Sequence, residues 1–131
     1  MRLILVVMAM LGAGSAGAQE LSFTMAPTEV CLADAEGVER LECVGAAAEF
    51  CMSKPNGDTT VGMGFCLGRE LGVWDDRLNA AYARLRRVEW MIMEEAESAD
   101  LRVPDTVTAL RDMQRAWMQY RDATCTYEFS T

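Results

Sequence analysis

From Leu67 to Ile92 the residues Leu67, Leu71, Trp74, Leu78, Ala81, Leu85, Val88 and Ile92 step by 4, 3, 4, 3, 4, 3 and 4. Only an α-helix brings such a set onto one face, and this spacing is that of helices packed lengthwise against one another. A second run, Val107, Leu110, Gln114, Trp117, Arg121 and Thr124, continues at 3, 4, 3, 4 and 3. Between the runs, Glu94, Glu95 and Glu97 lead out of the first and residues 98–103 make a connection. Pro104 suits the first turn of a last helix, and Asp105 is favourable near its positive end. The runs predict a long antiparallel helical hairpin. No strand-like alternation stands out, so the predicted class is all-α.

Upstream, residues 19–27 lack a clear period and read as a loose leader. Thr28 is a candidate N-cap for a short helix through Ala35, with Gly37 as its stop. A second helical run is expected from Val38 to about Met52, with Leu41, Val44, Ala48 and Cys51 as its stripe. Lys54-Pro55-Asn56-Gly57-Asp58 is the strongest turn signal in the chain. Thr60 then caps the long helix, whose early glycines (Gly62, Gly64, Gly68, Gly72) either permit close packing or fray its start. The expected organisation is residues 19–60 as a cysteine-containing helical extension and 61–131 as the hairpin, with the short helical pair bracing it.

Residues 1–18 are read apart from the fold. Arg2, the apolar run Leu3 to Leu11 and the small-residue site Ala16-Gly17-Ala18 form a secretory signal peptide cut after Ala18. The run is shorter than the roughly 20 residues that span a bilayer, and no Cys follows the cut to carry a lipid. The expected product is periplasmic or secreted, without a membrane anchor. Removing Arg2 from the 12 basic residues leaves 11 against 20 acidic ones, a formal charge of −9. That balance disfavours nucleic acid and favours a basic partner.

Five cysteines in a small exported chain read as a disulfide framework. With no His and no C-x-x-C pair, no metal or cofactor is expected. Cys43 and Cys51, eight residues apart in one helix, would be about 12 Å apart and beyond bonding reach. Turns near residues 36 and 58 bring Cys31 level with Cys43 and Cys51 level with Cys66, the favoured pairing. Cys66–Cys125 is the competing pair. Under the favoured pairing Cys125 is left over, as a free thiol, an interchain link or a residue without its partner.

In a hairpin turning near residue 101, residues at one level have numbers summing to roughly 200. Arg121 then falls level with Asn79 and within a turn of Asp76, Trp117 near Tyr82, and Gln114 near Arg86. The expectation is a bidentate Arg121 bond to Asp76 and Asn79. It makes Asp76, Asn79, Tyr82, Gln114, Trp117 and Arg121 a polar clamp that fixes the register. The competing reading is a binding or catalytic site. However, no nucleophile, His or metal set accompanies these residues, and Asp75 and Asp76 diverge around their helix. Trp90 lies two residues off the stripe. With Met91 and Met93 it marks a candidate partner patch near the hairpin tip, or else it packs under the 98–103 connection.

Two blocks carry a resemblance. Cys66…Glu70…Trp74-Asp75-x-x-Leu78-Asn79-x-x-Tyr82 and Gln114-x-x-Trp117-x-x-x-Arg121-Asp122-x-x-Cys125 resemble the LprI-type lysozyme inhibitor family. Cys31, Cys43 and Cys51 resemble an N-terminal extension of some relatives. The resemblance implies an all-helical envelope protein and, from the family's namesake, inhibition of host-type lysozyme. The namesake is a lipoprotein, which this chain's signal peptide does not match. Relatives often continue to a further cysteine, whereas this chain ends at Thr131, and a missing partner would account for Cys125. The functional expectation is an exported, non-enzymatic binding protein, an inhibitor of a basic lysozyme. The alternative is a periplasmic structural or adaptor protein that binds another envelope component. The sequence leaves the oligomeric state open.

Overall fold

The computed structural model describes residues 20–130, so the signal peptide lies outside the described residues. The order is α1 (Ala26–Asp34), a 3-10 helix (Gly37–Cys43), α2 (Ala46–Met52), α3 (Thr60–Ser98) and α4 (Thr106–Ser130). No strand occurs among the described residues. The all-α class is as expected. Two compact units are distinguished, one reaching to Glu70 and one beginning at Leu71, with α3 continuous through the boundary.

The first unit is held by two disulfides, Cys31–Cys43 and Cys51–Cys66, both with Cα–Cα distances of 5.6 Å. This is the pairing that turn placement favoured. Closing a loop of 15 residues restricts the unfolded chain by about 3 kcal/mol. Ala48, Cys51 and Cys66 form the buried cluster, and Leu21, Phe23 and Met52 pack on it. The segment before α1 is therefore no loose leader. Leu21, Phe23 and Met25 are half-buried while Ser22 and Thr24 are exposed, the alternation of an extended strip. Three apolar residues are too short a run to announce that period in sequence.

Glu70 sits at the centre. It is 3% exposed, and its carboxylate accepts from the Gly45 N–H at 2.9 Å, the Ala48 N–H at 2.7 Å and the Thr28 hydroxyl at 3.0 Å. The Thr28 Oγ1 in turn accepts from the Ala47 N–H at 3.0 Å. Three amide groups at the start of α2 are thereby satisfied from α1 and α3. Thr28 is not the N-cap of its own helix. The helix begins earlier, at Ala26 after Met25, because Pro27 fits a first turn; Thr28 caps α2 instead.

The run from Val38 to Met52 is also not one helix. It breaks at Val44-Gly45, where Gly45 has φ 100°, a left-handed conformation that glycine adopts without Cβ strain. The break turns the Gly45 N–H onto Glu70. It leaves Leu41 and Val44 exposed while Ala48 and Cys51 are buried, so the expected four-residue stripe covers only its second half. At the next turn Thr59 rather than Thr60 caps α3, its Oγ1 accepting from the Gly62 N–H at 3.0 Å. A Cβ on Gly62 would collide with the Asn56 carbonyl, so this glycine permits a close approach; Gly64, Gly68 and Gly72 face open space.

In the second unit α3 ends in a Schellman turn. The Leu101 N–H reaches the Ala96 carbonyl at 2.8 Å and the Asp100 N–H that of Glu97 at 3.1 Å, with Asp100 at φ 55°. Asp105 caps α4 through the Thr108 N–H at 2.9 Å. Ala96 and Leu110 are buried beside this reversal, with Glu89, Met93, Val107 and Gln114 half-buried. On α4 the inward residues are largely those of the expected stripe. On α3 they have moved one position, to Glu89, Met93 and Ala96, leaving Val88 and Ile92 exposed. A strict seven-residue repeat drifts about 20° per heptad on a straight helix. Trp74 and Leu78 are half-buried, and by Val88 and Ile92, two heptads later, that drift has reached some 40° and carries the stripe off its starting line.

Replacing Glu70 by Ala would orphan the amides of Gly45 and Ala48 and the Thr28 hydroxyl at once. The expected loss is about 3 kcal/mol in urea unfolding. Thr28→Val, which orphans one amide, should cost about half as much. Equal stability of wild type and Glu70→Ala would show that the network contributes nothing.

Candidate functional site

A cavity lies in the second unit, between the end of α3 and the start of α4. It is open, with a volume of about 1050 Å³. Met93, Val103 and Val107 give it an apolar lining, together with the faces of Trp90 and Leu101. Its charged residues are Glu94, Glu97, Asp100, Asp105 and a single Arg102, all exposed. Each is placed by a local feature. Trp90, Glu94 and Glu97 are spaced for one face of α3; Asp100 holds the left-handed position of the Schellman turn; Asp105 is the N-cap of α4.

Of the proposed partner patch, Trp90 and Met93 line this groove, while Met91, 49% exposed, is not among its lining residues. Trp90 is 56% exposed, so it is not packed under the connection. Of the four carboxylates, Glu94, Glu97 and Asp105 read in the sequence as helix-end residues and not as a site, and Asp100 carries no signal of its own. Their signal was present as an acidic cluster flanking the reversal, but three of the four serve helix ends or exposed turns and read as ordinary solvated charge.

Asp105 has a perturbed titration. The Thr108 backbone N–H and then the Thr108 side chain donate to its carboxylate and, with a smaller attraction from Arg111, hold its pKa below the ordinary 3.8. Its folded value is depressed, so its stabilising bond is present above 3.8 and is lost as pH falls through the lower folded value.

Of the six expected clamp residues, Asn79, Tyr82, Trp117 and Arg121 have partners on their own helices. The Arg121 guanidinium pairs with neighbouring Asp122, Nη2–Oδ1 2.7 Å, and its centre lies 5.2 Å from the Trp117 ring. Asn79 donates to Asp75 at 3.0 Å, and Arg86 lies 5.8 Å from the Tyr82 ring. Arg121 meets neither Asp76 nor Asn79. The Asp122 carboxylate and the Arg121 head are both solvated, and a neighbour on the same helix is paired without fixing any register. Asp76 is exposed and Gln114 half-buried. Cys125 is an exposed free thiol. No three acidic or cysteine side chains converge into a metal-binding group among the described residues.

Residues 51–131, more than half of the chain, match the family described as Lysozyme inhibitor LprI. The match begins at Cys51, so it takes in the Cys51–Cys66 disulfide, Glu70 and the groove. No curated protein and no solved structure matches the chain.

Two outcomes are expected here. Arg121→Ala should lower unfolding stability by no more than about 1 kcal/mol, as for a solvated local pair; a loss nearer 3 kcal/mol would reveal a cross-helix clamp. Amide exchange at Thr108 should stay protected from neutral pH to about 3.8 and loosen below it. Asp105→Asn retains a capping oxygen but no charge, so its Thr108 protection should not follow that acid transition.

Proposed function

The chain belongs to the LprI lysozyme inhibitor family, and on that basis we propose that it is an exported, non-enzymatic protein that binds and inhibits a basic lysozyme. The family match carries this reading. Its N-terminal signal-peptide pattern supports export, and among the described residues no helix is long and apolar enough to cross a membrane. The formal charge of −9 without the leader favours association with a strongly basic partner. Inhibition on this reading works by occlusion: the protein covers the enzyme, and no bond is made or broken.

The test is lysozyme turnover on a cell-wall substrate with the chain lacking residues 1–18, refolded with both disulfides formed. Turnover should fall with added protein, and the effect should weaken as salt rises above about 0.15 M, where the screening length drops below about 8 Å. Full turnover at a large molar excess would favour the adaptor reading, in which another envelope component is the partner.

A further inference from the structure

We infer that the groove between Trp90 and Thr108 is the docking surface of this protein and that it takes a lysine- or arginine-bearing segment of a basic protein. Shape comes first. At about 1050 Å³ and open along its length, the groove is at the upper end of small-molecule pockets and accommodates several side chains of a partner.

Charge then selects the occupant. Four carboxylates, Glu94, Glu97, Asp100 and Asp105, face the groove against one Arg102, an excess of three negative charges. Two ion pairs elsewhere in this unit, Arg111 with Asp112 and Arg121 with Asp122, involve none of these carboxylates, and of the four Asp105 is the one that caps a helix. No three of them converge to chelate an ion. A dispersed set of negative charges matches cations strung along a polypeptide better than a single metal.

The apolar part of the groove has the same preference. Trp90 leaves 56% of its surface exposed, an indole face suited to an ammonium or guanidinium group. Met93 and Val107 beside it can cover the aliphatic stem that carries such a head. An acidic partner would meet like charge, and a purely apolar one would strip water from four carboxylates without replacing it. The surface follows from the groove alone; only the identification of the basic protein as lysozyme rests on the inhibitor reading above.

The experiment uses the chain lacking residues 1–18, with Trp90→Ala and the double variant Glu94→Lys/Glu97→Lys. All three substituted side chains are exposed, and far-UV circular dichroism checks that helix content is retained. The first probe is an octa-arginine peptide, followed by NMR at the Trp90 indole N–H and the backbone amides of residues 93–108. Saturable shifts there, with at least a tenfold weaker Kd in both variants, are expected. Absence of shifts, or equal affinity in wild type and the charge-reversed variant, overturns the proposal. The second probe is a basic lysozyme with the same variants. Inhibition by wild type that is unchanged in both variants overturns the groove and leaves the inhibitor reading standing. Peptide binding at the groove without lysozyme inhibition supports the groove and removes lysozyme as its partner.

Discussion

One buried carboxylate holds the first unit together. The seven-residue α2 is too short to persist by its own hydrogen bonds, and its opening amides point away from solvent. Glu70 meets two of those amides, and Thr28, itself bonded to Glu70, meets a third. A negative charge at that end also matches the helix dipole. The Cys51–Cys66 disulfide ties the far end of α2 to α3 one turn before Glu70. A covalent link and a charged cap four residues apart on one helix therefore grip both ends of α2. The Val44-Gly45 break belongs to the same arrangement, since left-handed Gly45 is the residue whose amide meets Glu70.

The same interaction explains which parts of the fold the sequence discloses. Helical spacing identifies α3 and α4, and local turn signals place the cysteines well enough to favour the pairs that form. What escapes is tertiary. A Thr before an apolar run looks like a cap for that run, and nothing local says that Thr28 serves α2 nineteen residues on. Glu70 had a readable clue, an acidic residue one turn after Cys66 in a glycine- and leucine-rich stretch, yet its partners Gly45 and Ala48 lie in a segment whose periodicity suggests unbroken helix. The extended strip at Leu21 and Phe23 is legible only once there is a cluster for it to cover.

In the second unit the difficulty is different. Matching residues by level across a hairpin presumes that polar side chains at one height bond to each other. For Arg121 the presumption meets a cheaper alternative, since Asp122 is its immediate neighbour and Trp117 lies one turn back. Arg121 and Asp122 both remain in water, where an ion pair contributes little to stability or register. The exposure of Val88 and Ile92 has another origin: a heptad written in sequence stays on one line only if the helices supercoil.

The groove at the reversal combines two kinds of contact that respond differently to the medium. Its carboxylates are exposed and widely spaced, so their attraction for a basic partner acts at long range, accelerates encounter and is screened by salt. Trp90, Met93 and Val107 act only on contact, excluding water, and their contribution chiefly slows departure. The cap at Asp105 links this surface to the fold beneath it. The carboxylate that anchors the first turn of α4 is also one of the four that face the groove. The hydrogen bonds that keep it ionised in acid thus preserve a helix end and a share of the groove's negative charge together.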